Sequence, residues 1–215
     1  MILGVTGLIG SGKDTIADYL VTEHGFKRVS FAASLKDAVS AVFGWDRDML
    51  EGTSKASRIW REEVDTWWAT RLNMPHLTPR WVLQHWGTDV LRNHFHTDIW
   101  VASVENKLRQ TTDDIVITDC RFSNEVDAIK NAGGTTCRVF RGDKPDWYQA
   151  AVDYNKGPDG NSKWALSKLV LDKAQVHASE YSSVGLNYDH FIHNDGTIDD
   201  LQEQVNQLLS LPVAS

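Results

Sequence analysis

A chain of 215 residues, 41% hydrophobic and 24% charged, can fill one core and has the balance of an ordinary globular protein, which excludes disordered, fibrous and membrane-embedded classes. The formal net charge of −7 argues against a broad grip on a nucleic-acid backbone, while leaving room for a local basic pocket that takes a small anion. No apolar run approaches the length that crosses a bilayer, and residues 1–5 lack the basic start of a signal peptide. The expectation is a cytoplasmic protein, with Cys120 and Cys137 kept as reduced thiols.

In chain order, residues 2–6 read as a short buried strand, 7–13 as a glycine-rich turn, and 14–24 as a helix with Ile16, Leu20 and Val21 facing inward. Residues 26–31 alternate as a second strand, and Ser34 with Asp37 resembles a capping box that opens a helix through Phe43. From about 44 to 78 no period holds over the whole span, and the segment reads as a partly helical insertion. Thr78 as N-cap and Pro79 at the first helical position then start a helix through Arg80, Gln84 and Thr88 towards Arg92, with another over 98–110.

The β-branched run Ile115, Val116, Ile117 predicts a central parallel strand whose end, Asp119, points at the active site. A helix over 124–131, a break at Gly133 and Gly134, strands over 135–140 and 189–193, and a helix over 198–209 capped by Thr197 and Asp200 complete the pattern. Alternating strands and helices predict one α/β domain, 1–215, a three-layer sandwich with a parallel central sheet covered on both faces. The polar, lysine-rich stretch 141–176, which contains a Gly157-Pro158-Asp159-Gly160 turn, reads as a mobile lid.

Gly7-Leu8-Ile9-Gly10-Ser11-Gly12-Lys13 fits the GxxxxGK core of a Walker A loop, and it lies between a strand and a helix as that motif requires. Such a loop wraps a phosphate with backbone N–H groups, while Lys13 supplies positive charge to the β- and γ-phosphates. Asp14 stands where a Ser or Thr usually ligates Mg²⁺, with Thr15 next. Asp14 therefore either meets the metal, directly or through water, or caps the helix. Asp119 at a strand end matches the second acidic residue that holds the Mg²⁺ shell in P-loop enzymes, and Arg121 follows in reach of the same cleft.

Other residues are open on pattern alone. Lys36 is equally an acceptor ligand or an ordinary exposed lysine, and Arg80, Gln84 and Thr88, four apart, make a polar face that by itself reads as solvated. Nine tryptophans are many, six of them between Trp60 and Trp100; packing is the better reading for any one of them, base stacking the other. The His pairs have no cysteines at zinc-ligand spacing, and His177-Ala178-Ser179-Glu180 reads as a helix cap.

Taken in order, several of these pieces resemble the bacteriophage deoxynucleoside monophosphate kinase family, a branch of the P-loop nucleotide kinases. They are Gly12-Lys13-Asp14-Thr15, Phe31-Ala32 with Leu35-Lys36, Glu51-Gly52, Leu83-Gln84 with Gly87-Thr88-Asp89 and Arg92, Asp119-Cys120-Arg121-Phe122 with Asn124-Glu125, Gly133-Gly134 before Arg138-Val139, and His177-x-Ser179-Glu180. Ser34 and Asp89 stand where the family often has Pro and Glu. The resemblance implies ATP and Mg²⁺, a deoxynucleoside monophosphate substrate, and action in the cytoplasm of an infected host. It makes Lys13, Asp119, Arg121 and Arg141 catalytic, with Lys36, Arg80, Gln84, Thr88, Arg92, Arg121 and Glu180 on the acceptor. Gly7, Gly10, Ser11, Gly12, Lys13, Asp14 and Thr15 would hold the donor, and Asp14 and Asp119 the metal.

Two other readings compete: a P-loop kinase similar to dephospho-coenzyme A kinase, whose hydroxyl acceptor needs a catalytic carboxylate, and a nucleotide-binding switch protein that transfers nothing. Nothing in the sequence points to a nucleic-acid or membrane partner, and a homodimer is expected only because twofold homo-oligomers are common.

Overall fold

The computed structural model describes residues 1–158 and 162–211. From the N-terminus run β1 (Ile2–Gly7), α1 (Lys13–His24), β2 (Lys27–Val29) and α2 (Ala33–Phe43). Next come α3 (Arg47–Glu51), α4 (Lys55–Trp60), α5 (Thr66–Leu72), α6 (Pro79–Gln84), a π-helical stretch (His85–Phe95) and α7 (Ile99–Leu108). The remainder holds β3 (Ile115–Ile117), α8 (Ser123–Asn131), β4 (Thr135–Phe140), α9 (Tyr148–Asn155), α10 (Lys163–Lys173), α11 (Ala178–Tyr181), β5 (His190–His193) and α12 (Ile198–Ser210). The chain forms two compact units, Met1–Ser30 with Leu108–Ser215, and Phe31–Lys107.

The first unit is built on a five-stranded sheet in the order β2-β3-β1-β4-β5, parallel at every pairing. Alternation along β1 sends Leu3 and Val5 to one face, where they join Val116, Cys137, Val139 and Ile192 against Ile16, Ala17 and Leu20 of α1 and Leu201, Val205 and Leu208 of α12. Burial of each large apolar side chain there contributes about 1.5–3 kcal/mol. On the opposite face α8 approaches the sheet backbone so closely that a Cβ at Gly4 would lie 2.6 Å from the Ile129 side chain. Helices on both faces of a parallel sheet make the anticipated three-layer α/β sandwich. With β3 on one side of β1 and β4 on the other, the strand order switches at β1, and open parallel sheets bind ligands at the carboxyl ends beside such a switch.

Several expectations need correction within this unit. Val21 is 40% exposed, and Ala17 takes the inward place because it lies on the Leu20 face, three residues back. The second strand is only Lys27–Val29, since its partner β3 offers just three residues to pair with. The stretch after β4 carries two helices, α9 and α10, that its polar composition concealed; α9 stacks Tyr154 on Trp164 of α10 at 5.2 Å. Asp159 and Gly160 of the Gly-Pro-Asp-Gly turn lie outside the described residues.

The second unit is all helical. Its short helices each begin on a side-chain cap: Asp46 for α3, Ser54 for α4, Asp65 for α5, and Thr78, followed by Pro79, for α6 as anticipated. Helices of five to seven residues span fewer than two turns, so the 44–78 region could show no 3.6-residue period. Ser34 is no cap: α2 starts at Ala33, and the Ser34 hydroxyl bonds that of Ser103 at 2.7 Å instead. The helix from Pro79 does not continue as a regular α-helix to Arg92. It widens at His85, the His96 N–H bonding the carbonyl five residues back at Leu91, so Arg80 and Gln84 lie in regular α-helix while Thr88 falls in the widened stretch. The Gly87 carbonyl accepts from Trp100 Nε1 at 2.8 Å, and a side chain drawing off a helix carbonyl is one cause of such widening. Tryptophans pack this unit: Trp45 lies on Phe43 at 4.4 Å and donates to Asp65, and Trp68 donates to the Phe43 carbonyl.

Candidate active site

The glycine-rich loop joins β1 to α1. Gly10 and Gly12 take φ of +79° and +99°, which side-chain-bearing residues rarely adopt, and Asn194 closes on Gly12 while donating to the Ser11 carbonyl at 2.9 Å. At Gly7 a Cβ would come 2.4 Å from the Ser11 hydroxyl oxygen. The loop is thus a bare-backbone cradle pinned from beneath, as phosphate binding by N–H groups requires.

An open cleft of about 300 Å³ brings together Gly7 and Lys13 of the loop, Thr118, Cys120 and Arg121 beyond β3, and Ser179 and Glu180 of α11. Arg121 donates to Glu180 Oε1 at 2.9 Å. Its backbone N–H, with that of Phe122, donates to Glu125, a carboxylate only 2% exposed at the start of α8. Glu125 therefore fixes the turn that presents Arg121; the sequence reading placed it in the resemblance with Asn124 but gave it no role, since a lone acidic residue in a helix does not reveal its partner. His177 caps α11 by accepting from the Ser179 N–H, the arrangement its spacing suggested. Burial first, then the charges of Glu125 and Asp119, push the Cys120 thiol up, so it is a neutral wall of the cleft.

Asp14 sits in the first turn of α1 and makes no cap bond. Its carboxylate meets Arg28 at 3.1 Å and, more loosely, the Thr118 hydroxyl at 3.4 Å, with Lys13 4.0 Å away. Thr15, beside it, is exposed. Asp119 accepts from the Ser30 hydroxyl at 2.7 Å. Two carboxylates with a neighbouring hydroxyl are hard oxygen donors, which suit Mg²⁺ held partly by phosphate and water. Among the described residues no group of three or more His, Cys, Asp or Glu could hold a metal ion.

Arg141 follows β4 and lines a different cleft, on the β4 side of the loop, with Arg138 and Lys144. Lys36, Arg80, Gln84, Thr88 and Arg92 all belong to the second unit. There Lys36 of α2 pairs with Glu51, which also binds Arg47, Arg80 pairs with Glu62 at 3.1 Å, and Arg92 is 8% exposed. Burial works against ionisation of Glu51, but Lys36 and Arg47 outweigh it and hold its carboxyl below the usual range.

Residues 58–151 match the family model described as deoxynucleotide monophosphate kinase. A protein of Acanthamoeba polyphaga mimivirus described as a deoxynucleotide monophosphate kinase is 32% identical over 155 residues, covering 66% of this chain and 74% of its own. Among solved structures, shikimate kinase from Aquifex aeolicus aligns at 10% identity and TM-score 0.44 over 97% of this chain and 96% of its own. Dephospho-CoA kinase from Campylobacter jejuni aligns at 14% identity and TM-score 0.44 over 97% and 94%. With a Walker A loop on the first strand of a parallel sheet and a relative matched at this identity over most of its length, the chain belongs to the deoxynucleotide monophosphate kinase family.

Proposed function

We propose that the Lys13–Arg121 cleft is the centre at which the γ-phosphate of ATP passes to the phosphate of a deoxynucleoside monophosphate, giving the diphosphate for DNA precursor synthesis. The chain is a nucleoside monophosphate kinase by family. The observation that carries the site assignment is the convergence of Lys13 from the P-loop and Arg121 from the end of β3 on one cleft.

Lys13 neutralises the β- and γ-phosphate oxygens, and Arg121 balances the charge that spreads over the transferring group. Asp14 and Asp119 are the residues that would hold Mg²⁺, which when bound supplies charge neutralisation to the donor phosphates. An acceptor phosphate is already a competent nucleophile, so positioning substitutes for a strong general base, and Asp119, engaged with Ser30, has no proton to abstract. Glu180, now on Arg121, aligns that guanidinium and yields it to the acceptor phosphate. Lys36, Arg80, Gln84, Thr88 and Arg92 serve the acceptor, and Arg141 with the 141–176 stretch closes over the donor to exclude water.

The order of motifs supports the bacteriophage branch of the family and action in the host cytoplasm. No described helix is long and apolar enough to cross a membrane. The test is a phosphoryl-transfer assay with Mg-ATP against deoxy and ribo monophosphates, run beside Lys13→Ala. Transfer to deoxy monophosphates that falls about a hundredfold or more in a folded Lys13→Ala variant is expected. Retained transfer in that variant would refute the site.

A further inference from the structure

Arg121 is held by a helix too short to hold itself. A single turn such as α11, Ala178–Tyr181, has no independent stability in water, so its setting depends on what grips its two ends. At the C-terminal end Tyr181 is buried with Tyr148, Ala151, Leu171 and Val184, and the Ser183 carbonyl accepts from Arg138 at 2.7 Å and from the Tyr188 hydroxyl at 2.6 Å. At the other end stands His177, an exposed residue whose Nδ1 accepts from the Ser179 N–H at 3.2 Å and lies 2.9 Å from the Ser179 hydroxyl.

An Nδ1 that accepts from a backbone N–H carries no proton of its own, so the Ser179 hydroxyl donates to it and keeps its lone pairs for another donor. That donor is Arg121. Its Nη1 lies 2.9 Å from Glu180 Oε1 and makes longer contacts with Ser179 Oγ at 3.4 Å and the Ser179 carbonyl at 3.5 Å. All three acceptors belong to α11, and all three fall on one nitrogen. Nε and Nη2 of Arg121 have no hydrogen-bond partner among the described residues, and the side chain is 44% exposed. Docking of Nη1 therefore leaves the Nε–Nη2 edge of the guanidinium, two parallel donors, for bidentate contact with a phosphate. A cap that served only the helix would need the N–H contact alone; the hydroxyl contact ties His177 to the guanidinium.

We infer that His177 is a positioning residue for phosphoryl transfer: through Nδ1 it turns Ser179 and Glu180 onto Nη1 of Arg121, so that the Nε–Nη2 edge meets the transferring phosphate. The inference rests on the Lys13–Arg121 cleft being the transfer centre.

Steady-state transfer from Mg-ATP to deoxy monophosphates tests it, with thermal melts alongside. The proteins compared are the full chain, His177→Ala, His177→Asn, His177→Gln, Arg121→Met and the double variant His177→Ala/Arg121→Met. Asn places an acceptor near the position of Nδ1, whereas the Gln amide reaches that of Nε2. In His177→Ala kcat should fall about tenfold with KM for ATP within about twofold; it should recover to within about threefold in His177→Asn and stay low in His177→Gln. Because His177 acts through Arg121, the double variant should lose no more than Arg121→Met alone. Undiminished kcat in a folded His177→Ala variant, whatever its melting temperature, would leave His177 a helix cap and overturn the inference. Equal rates in the Asn and Gln variants would overturn it too, a comparison that stands even if the Ala variant misfolds, and so would losses that multiply in the double variant. Undiminished transfer in Arg121→Met would overturn the transfer centre itself.

Discussion

Gly12 ties backbone conformation to binding. It combines φ +99° with a neighbour, Asn194 Nδ2, that would stand 2.2 Å from any Cβ. Gly12→Ala should cost about 1–3 kcal/mol by chemical denaturation and weaken ATP binding, because both the strain and the displaced Asn194 fall on the cradle. Arg28 touches Asp14 at 3.1 Å and Asp18 at 3.5 Å, all on exposed side chains. Arg28→Ala should therefore change stability by less than about 1 kcal/mol. If Asp14 holds Mg²⁺, removing the competing guanidinium lowers the half-saturating Mg²⁺ concentration for ATP binding, and an unchanged Mg²⁺ titration would count against that role. Lys13, Asp119 and Arg121 were legible as candidates because a P-loop and a strand end have fixed sequence forms. Arg138 entered only as part of the resemblance, and its burial was not legible, since one charged residue in an apolar strand carries no pattern that says it is buried.

Short helices make the second unit depend on its caps. Thr78 accepts from the Trp81 N–H at 3.1 Å, and Thr78→Ala should destabilise the chain by about 1 kcal/mol, read as a shift of the denaturation midpoint at unchanged slope. Glu51 links α3 to Lys36 of α2, and its carboxyl is held below the usual range despite the opposing effect of burial. A depressed carboxylate contributes stability that is present above its unfolded pKa and lost as pH falls through the folded one. Melting temperature followed on the acid side of about pH 5 should fall more steeply for the native chain than for Glu51→Gln, and parallel curves would refute this. The widened turns at His85–Phe95 lay beyond pattern reading, because the Trp100 to Gly87 bond forms only when α7 folds back.

For the whole molecule, sedimentation would test the homodimer proposed on the prevalence of twofold assemblies; a single monomeric species at working concentration would reject it. The sequence by itself determined the α/β alternation, the parallel sheet and the P-loop. These depend on local periodicity and on a motif whose glycines and lysine are adjacent in the chain, so neighbours a few residues apart carry the information. Only the tertiary structure decided which charges meet: Glu125 behind Arg121, Glu180 on its guanidinium, and Arg138 buried beside the loop among aromatic rings. Arg121 and Glu180 are 59 positions apart, and the energy of a buried charge depends on what surrounds it in space, which no local pattern encodes.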